Sequence, residues 1–440
     1  MNINRSSETA HSSHSPISGK VASVPSSTQN NPVFTGSGKR VLLYSHDSFG
    51  LGHIRRSLNI AFALRDSFPD LSMLLLTGST MTNKFSSPEG LKYVTLSPIV
   101  KIDDEKYAPR DGSGSIEETL SERSKNILET TMTFRPDLLL VDHSPLGLKG
   151  ELKPTFCWLM KYSPSTVIAL GMRDIFDDPP KVRARWAAEG IYDTLDSVYN
   201  RIFIYGTQRI YDPVSEYGFP DSLANKSIYC DYVCENSSGA SGVNTSESSA
   251  TGSSSNRKLV VVTIGGGDYL GNEVIGTYLE SLRLNKDKLD FDSVVITGPL
   301  VGKELLEKFR RSAEGLPVEI HQFVPGARSY FERSDFVIAT GGYNTSVEVL
   351  KYAQRALIIP RVAMRAEQFI RAKRLASLGL VRMALPNDIT PDSLFRDIQS
   401  ELSSPRSPLA EAREQNLINF NGAENVARLC GELIQSAKNG

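Results

Sequence analysis

Residues 334–380 read SDFVIATGGYNTSVEVLKYAQRALIIPRVAMRAEQFIRAKRLASLGL. The apolar runs FVIAT (336–340) and ALIIP (356–360) predict buried strands, and the pair Gly341–Gly342 turns the chain directly after the first. Helical patterns follow each strand. Strands that alternate with helices in this way predict a parallel sheet, in which ligands bind at the carboxyl ends of the strands.

Polar residues stand where these two strands end. Asn344 and Thr345 are suited to cap the helix after the first strand, and the unpaired N–H groups of such a first turn favour an anion. Glu348 follows one turn later, where its carboxylate could accept both hydroxyls of a ribose. Glu367 and Gln368 open the next helix at the same edge and suit sugar hydroxyls.

The same alternation continues over most of the chain. Each half has continuous apolar runs separated by amphipathic helices, which predicts parallel sheets covered on both faces. The runs are RVLLYS (40–45), SMLLLTG (72–78), DLLLVD (137–142), STVIALGMRD (165–174), KLVVVTIGGG (258–267), FDSVVITG (291–298), VEIHQF (318–323), DFVIATGG (335–342) and ALIIPR (356–361). The predicted fold is α/β, with two doubly wound, Rossmann-like domains.

Two segments rich in Ser, Asn, Thr and Gly divide the chain. Residues 1–38 predict a disordered tail and residues 236–256 a flexible linker, because neither has enough large apolar side chains to offset its ordering entropy. The domains are therefore expected at 39–235 and 257–405. Residues 406–440 predict C-terminal helices that pack back on the body.

Composition excludes several classes of protein. The 440 residues are 40% hydrophobic and 22% charged with a net charge of −1, which gives no electrostatic case for nucleic acid. Four cysteines do not form a disulfide framework, and we expect buried thiols in a reducing compartment. With no signal-peptide core and no apolar run near the ~18 residues of a membrane span, the expected location is cytoplasmic.

Glycine-rich turns raise the question of which nucleotide binds. GLGHIR (50–55) departs from the dinucleotide fingerprint at Arg55, and no carboxylate follows the next strand, so a dehydrogenase is disfavoured. No P-loop sequence occurs. TIGGGDYLG (263–271) predicts a strand, a glycine turn and a helix, whose amides would approach a phosphate closely. Asp268 would repel that phosphate unless it caps the helix, and a tight turn that binds nothing is the alternative.

The order of the GGG loop, GGYNTSVE and P…EQ resembles the C-terminal domain of the MurG-like enzymes of glycosyltransferase family 28. The resemblance is strongest over about 258–385 and weaker over 39–235. It implies a GT-B fold, in which a nucleotide sugar lies in the cleft between two Rossmann-like domains and is held chiefly by the second one.

The resemblance also implies roles for individual residues. Glu348 would hold the ribose, and Gln368 with Glu367 would hold the donor sugar. Asp268 and the TGGYN run depart from the usual family pattern, which leaves the nucleotide and the sugar open. The residues expected beside the diphosphate are Gly265, Gly266, Gly267, Gly342, Asn344 and Thr345, and those expected beside the base are Phe323 and Val324.

The segment SHDSFGLGHIRRS (45–57) is the first-domain counterpart. Gly50 and Gly52 would let this loop pass close to substrate, and His53 at a helix start resembles the general base of several GT-B families. An imidazole suits the removal of an acceptor proton near neutral pH. Asp142, at the end of DLLLVD, would orient it.

Alternatives to these roles stay open. His53 could simply hydrogen-bond its loop, and Asp142 could cap a turn. Arg173 and Asp174, after another strand, would line the acceptor side or form a solvated loop. The competing candidates for the base are His46, Asp47 and His143. Arg55 and Arg56 would meet a phosphate or divide between solvent and a salt bridge.

The expected protein is a glycosyltransferase that moves a sugar from a UDP-sugar to a hydroxyl, with inversion and without a metal or resident cofactor. The acceptor is expected to be a saccharide or a lipid-linked molecule. With a lipid-linked acceptor, the protein would make peripheral contact with the inner face of the membrane. The sequence does not identify the acceptor, because residues 101–123 are merely polar. The alternatives are a sugar-nucleotide 2-epimerase and a non-catalytic nucleotide-sugar-binding partner.

Overall fold

The computed structural model describes residues 38–46, 52–82, 85–103, 106–110, 112, 114–235, 257–265, 269–324, 327–362 and 365–437. The expected tail, apart from Gly38, and the expected linker at 236–256 lie outside these residues. So do five residues given roles above, namely Asp47, Gly50, Gly266, Gly267 and Asp268.

A parallel sheet occupies the first half of the described chain. Its strands are β1 (Arg40–Ser45), β2 (Ser72–Thr77), β3 (Leu91–Thr95), β6 (Leu138–Asp142), β7 (Val167–Arg173), β8 (Arg201–Tyr205) and β9 (Ser227–Tyr229). They lie in the order β3-β2-β1-β6-β7-β8-β9, and each neighbouring pair is parallel. The side chains of Val41 to Tyr44 are buried because both faces of β1 are covered.

A second parallel sheet occupies the other half. Its strands are β10 (Lys258–Thr263), β11 (Phe291–Ile296), β12 (Val318–His321), β13 (Phe336–Ala339), β14 (Ala356–Ile358) and β15 (Arg382–Met383). The order β12-β11-β10-β13-β14-β15 is again parallel throughout. Both sheets belong to one compact unit of the chain.

Helices cover the sheets. In α1, the apolar residues Ile54, Leu58, Ala61 and Leu64 recur at helical spacing and are buried. The helices are α1 (Gly52–Ser67), α2 (Ile116–Phe134), α3 (Lys153–Tyr162), α4 (Pro179–Ala188), α5 (Ile191–Ser197), α6 (Pro213–Glu216), α7 (Asp221–Lys226), α8 (Tyr269–Leu284), α9 (Lys303–Ser312), α10 (Arg328–Arg333), α11 (Tyr343–Tyr352), α12 (Glu367–Ser377), α13 (Pro391–Ser403), α14 (Pro408–Glu414) and α15 (Gly422–Ser436). No helix in the described part of the chain has both the length and the apolar character needed to cross a membrane.

The two C-terminal helices pack in different places. α14 contacts α11 beside the second sheet, whereas α15 lies against α1 beside the first. Gly431 of α15 faces the ring of Phe68, and a Cβ at this glycine would fall 2.2 Å from a ring carbon. The end of the chain therefore packs on the first half of the molecule.

The polar segment 101–123 contains structure that its composition did not predict. The strands β4 (Ile99–Asp103) and β5 (Lys106–Pro109) form an antiparallel hairpin. Ser115 then begins α2 with a capping box, in which its side chain accepts from the Glu118 amide and the Glu118 side chain accepts from the Ser115 amide.

Both sheets reverse strand order at one point, which is where ligands collect in such sheets. In the first sheet the reversal falls between β1 and β6, so that His46 and Asp142 lie at neighbouring strand ends. In the second it falls between β10 and β13, next to Gly265 and Gly341–Gly342. The fold thus brings the polar residues of each half to a sheet edge.

Candidate active site

Both edges line one cleft. Its cavity volume is about 280 Å³. The first half contributes the start of α1, with Gly52, His53 and Arg55. The second half contributes the end of β10 at Gly265 and the helix starts at Gly342, Asn344, Thr345, Glu367 and Gln368, together with Glu348, Phe323 and Val324. The residues assigned to the donor from the sequence, insofar as they are described, therefore surround one cavity.

The start of α11 differs from the expected arrangement of caps. The expectation that Asn344 and Thr345 cap this helix is wrong: it begins at Tyr343 with Gly342 as its cap residue, and no described side chain caps it. Asn344 instead donates through Nδ2 to the carbonyl oxygen of Gly52, 3.1 Å away. The side-chain amide is used to join the two halves, so the first-turn amides of α11 keep their capacity for an anion.

The glycines beside α11 are required by geometry. Gly265 has φ +71°, a left-handed conformation that side chains disfavour, and a Cβ there would lie 3.3 Å from Oγ1 of Thr345. A Cβ at Gly341 would lie 2.8 Å from the carbonyl oxygen of Gln368. Both turns can therefore approach the cleft closely only without a side chain.

His53, Asp142 and Arg56 form a buried cluster at the first sheet's edge. Nδ1 of His53 lies 2.6 Å from Oδ2 of Asp142. Arg56 donates from Nε to Oδ1 at 2.8 Å and from Nη2 to Oδ2 at 2.6 Å. The guanidinium lies over the rings of Tyr205 and Tyr343, at 5.9 and 5.4 Å. Asp142 is thus held by a bidentate ion pair with Arg56 and in turn fixes the position of His53.

The charge of Asp142 fixes the tautomer of His53. Burial alone would raise the pKa of Asp142, but the Arg56 guanidinium and the hydrogen bond from His53 outweigh it and lower the pKa. Because the carboxylate is ionised and can only accept, Nδ1 of His53 carries the proton. The lone pair then lies on Nε2, which is the nitrogen that a general base needs.

Two further histidines flank His53. The ring centroids of His46 and His143 lie 4.3 and 5.7 Å from that of His53. Burial lowers the pKa of both well below the usual value, with further lowering from His53 at His46 and from Arg173 at His143. Both are therefore neutral near pH 7. His143 also stacks on Phe176 at 4.1 Å and accepts at Nε2 from Arg173 at 2.7 Å.

His46 and His143 also line a second cavity of about 460 Å³. Its walls include the rings of Phe176 and Trp186. Its described charged residues are the basic Lys149, Lys153, Arg185 and Arg365 and the acidic Glu189. His53 lines the first cleft, and its ring contacts the two histidines that line the second cavity.

The two glutamates of the cleft are paired with arginines from the first half. Arg55 donates through Nη2 to Oε1 of Glu348. Arg173 donates through Nη1 to Oε1 of Glu367 at 3.0 Å, and Arg371 donates to the same oxygen at 3.1 Å. Gln368 uses its side-chain oxygen to accept from a backbone amide 3.1 Å away. The carboxylates thus bridge the halves of the molecule.

The expectation that Asp174 lines the acceptor side is wrong. It is 1% exposed, and its two carboxylate oxygens receive Nη2 and Nε of Arg371 at 2.7 and 3.1 Å. Arg371 also donates to the carbonyl oxygen of Gly341 at 2.8 Å. Asp174 is a buried counter-charge that secures the turn before α11. Arg173 lines the first cleft instead, where it donates to both His143 and Glu367.

The sequence left Arg56 to a phosphate, to solvent or to a salt bridge, and the structure pairs it with Asp142. No role was assigned to Arg371. A signal was present for both in the helical spacing. Arg56 lies in register with the buried Ile60 and Ala63 of α1, and Arg371 with the buried Leu375 of α12. An arginine in register with a buried stripe at a sheet edge indicates a buried ion pair.

Solved structures share this architecture. The glycosyltransferase of kitacinnamycin superposes with a TM-score of 0.60 over 90% of this chain and 99% of its own, at 16% identity. The UDP-GlcNAc 2-epimerase from Methanocaldococcus jannaschii gives 0.59 over 90% and 99%, at 11% identity. The fold is GT-B, as expected from the sequence.

Sequence comparison then identifies the second half. Residues 260–428 match the model of the glycosyltransferase family 28 C-terminal domain. The chain is 24% identical to the UDP-N-acetylglucosamine--N-acetylmuramyl-(pentapeptide) pyrophosphoryl-undecaprenol N-acetylglucosamine transferase of Bdellovibrio bacteriovorus over 193 residues. These residues are 43% of this chain and 52% of that enzyme. The chain spans about half of this curated relative and 37% of a second one, from Glaesserella parasuis.

Proposed function

We propose that the protein is a glycosyltransferase that moves a sugar from a nucleotide sugar, a UDP-sugar, to a hydroxyl acceptor with inversion at the anomeric carbon. The observation that carries the proposal is the His53–Asp142 pair, because His53 lines the first cleft and contacts the two histidines that line the second cavity. The family 28 domain and the GT-B neighbours support the same reaction class.

His53 acts as the general base in this reaction. An acceptor hydroxyl in the second cavity attacks the anomeric carbon of a sugar in the first, and its proton passes to Nε2 of His53. The bond from the anomeric carbon to the diphosphate breaks in the same displacement, and its electron pair leaves with the diphosphate. One displacement from the opposite face inverts the configuration. Asp142 stabilises the imidazolium that forms.

The donor is held by the second half of the molecule. Glu348 takes the ribose hydroxyls, Gln368 and Glu367 take the sugar hydroxyls, and the base lies against Phe323 and Val324. The first-turn amides of α11 meet the diphosphate. These amides and nearby arginines stabilise the leaving group, so the proposal needs no metal and no resident cofactor. Unchanged activity in excess EDTA tests this point.

The second cavity takes the acceptor. Its basic side chains and the aromatic rings of Tyr107, Phe176 and Trp186 support an acceptor that joins a sugar to a phosphate and an apolar chain, which is a lipid-linked saccharide. The relative from Bdellovibrio carries a lipid-linked acceptor in its name. We place the reaction in the cytoplasm, with the protein in peripheral contact with the membrane that holds the acceptor.

Release of free nucleoside diphosphate tests the function. The full-length protein is incubated with a panel of sugar nucleotides, with and without saccharide and lipid-linked acceptors. We expect one donor to release UDP in an acceptor-dependent way, and His53→Ala to abolish release while donor affinity stays. A matched control is His321→Ala, because His321 lies on the partly exposed strand β12 and does not line the cleft.

The same assay separates the alternatives. The cluster of three histidines around Asp142 is the feature that favours a sugar-nucleotide 2-epimerase. An epimerase would convert the donor sugar without an acceptor, and a binding partner would show affinity without turnover. Against epimerisation, two of the three histidines are held neutral and one accepts from Arg173, so a single histidine is left to exchange protons.

A further inference from the structure

Arg55 and Glu348 close one wall of the donor cleft. Arg55 lies on α1 and Glu348 on α11, and Nη2 of the first donates to Oε1 of the second. The Glu348 side chain is 14% exposed and that of Arg55 is 32% exposed. The arginine is therefore the member of the pair with room to move.

This inference rests on the proposed function, in which the Glu348 carboxylate binds the ribose hydroxyls of the donor. Ribose hydroxyls donate hydrogen bonds to Glu348 but bring no charge. When they take the carboxylate, the Arg55 guanidinium loses its counter-charge inside a partly buried cleft, which is costly unless another anion is in reach.

The diphosphate is that anion. Thr345 lies three residues before Glu348 on α11, so the first-turn amides are about 4.5–6 Å from Glu348 along the helix axis. The flexible side chain of Arg55 covers that distance by rotating about its own bonds. The described charged residues that line the cleft are Arg55, Arg56, Arg173, Arg361, Glu348 and Glu367, which leaves a positive balance for a diphosphate.

We propose that Arg55 changes partner when the donor binds: the ribose takes Glu348, and the Arg55 guanidinium turns to the diphosphate and stabilises it as it leaves. As the bond from the anomeric carbon breaks, its electron pair stays on the diphosphate oxygen, where Arg55 and the α11 amides balance the added charge. The acceptor proton still goes to His53.

Two other arginines of the cleft are already committed. Arg56 gives two hydrogen bonds to Asp142. Arg173 is held between His143 and Glu367. Arg55 donates to one carboxylate, that of Glu348, and its side chain is 32% exposed against 1% for Arg56 and 14% for Arg173, so it is placed to move toward a ligand.

Calorimetry with uridine and UDP tests the exchange, because uridine has the ribose but no phosphate. In Arg55→Ala we expect uridine to bind several-fold more tightly, since Glu348 is released, and UDP to bind about ten- to hundredfold more weakly, since a charge-assisted contact is lost. Arg55→Lys should recover part of the UDP affinity and Glu348→Gln should weaken both ligands. The control Arg428→Ala removes an equal charge from an exposed pair on α15 and should change neither.

Each contrary outcome has a distinct meaning. If Arg55→Ala tightens both uridine and UDP, Arg55 only occupies Glu348, and this inference is overturned while the proposed function stands. An unchanged UDP affinity in a folded Arg55→Ala protein also overturns it. If the unaltered protein binds neither UDP nor ADP, GDP, CDP or dTDP, the proposed function falls and this inference falls with it.

Discussion

Replacement of Asp142 by Asn should slow the reaction strongly without changing donor binding. The amide has one oxygen that accepts and one nitrogen that donates, whereas the carboxylate accepts from both Arg56 and His53. If the oxygen stays with the positively charged Arg56, the nitrogen faces Nδ1 of His53 and donates to it. The imidazole proton then moves to Nε2, and the base has no lone pair toward the acceptor. We expect kcat to fall about 10²- to 10⁴-fold, or about 3–5 kcal/mol of barrier.

The same change also destabilises the fold, and this effect must be separated from the catalytic one. The Arg56 side chain is 1% exposed and loses its anionic partner, and breaking a buried ion pair costs about 3–5 kcal/mol. The two tyrosine rings over the guanidinium retain about 1–2 kcal/mol of attraction, so we expect a loss near the lower end of that range.

The variant Arg56→Met provides the matched control. It removes the buried positive charge and destabilises the fold, while the hydrogen bond that Nδ1 of His53 donates still lowers the pKa of Asp142 against its burial and keeps the tautomer. Unfolding in urea gives the stability of both variants, and nucleoside diphosphate release below the onset of unfolding gives kcat and the donor KM. Arg56→Met should lose no more than about tenfold in kcat.

Two results would refute this reasoning. A folded Asp142→Asn protein with kcat within tenfold of the unaltered protein would mean that Asp142 does not set the state of the base. Equal losses of kcat in both variants would mean that the clamp on Asp142, and not the tautomer of His53, controls the reaction.

Three more predictions concern stability. Glu151→Gln should lower the free energy of unfolding in urea by about 3–5 kcal/mol, because it leaves the buried Arg123 without the carboxylate that takes two of its hydrogen bonds; an unchanged midpoint would contradict this. The pKa values of His46 and His143 are lowered in the folded protein, whereas a histidine in the unfolded chain has a pKa of about 6.5. As the pH falls, these histidines are therefore protonated in the unfolded state before they are protonated in the folded state. Stability should therefore fall between pH 7.5 and pH 5.5 by up to about 1.4 kcal/mol per histidine, and His143→Asn, which tolerates the positive φ there, should reduce the fall by about half; an equal fall would count against the neutral state. Gly431→Ala should lower the thermal midpoint, because the methyl group meets an aromatic ring at 2.2 Å and overpacking costs about 1–3 kcal/mol against a helix gain of about 1 kcal/mol; a raised midpoint would show that the ring moves aside freely.

The architecture was predictable because parallel strands that are buried on both faces have continuous apolar runs in their sequence. Val41–Tyr44 in β1 and Val260–Val262 in β10 are fully buried, and no pattern of alternation competes with that reading. The hairpin of β4 and β5 was not predictable in the same way. Residues such as Lys101, Asp103 and Lys106 give no apolar period, and the ribbon contacts α2 instead of joining either of the two large sheets.

Positions at the sheet edges were predictable, whereas partners were not. Parallel strands end at the same edge, so His53, in the turn after one strand, and Asp142, at the end of another, could be placed at one edge. The pairing of Arg55 with Glu348 joins residues from different sheets and depends on how the two sheets face each other. Asp174 was misplaced for a related reason, since its partner Arg371 lies almost two hundred residues later.

Within the described part of the chain, three ion pairs join the halves, and they differ in whether a ligand can reach them. The pairs Arg55–Glu348 and Arg173–Glu367 involve carboxylates on the cleft wall, so a bound sugar nucleotide competes for them. Arg371–Asp174 is about 1–2% exposed and lies behind the turn of α11, out of reach of a ligand. Because this buried pair loses no partner, it keeps the halves together in the proposed exchange while Arg55 leaves Glu348 and Arg173 stays with His143.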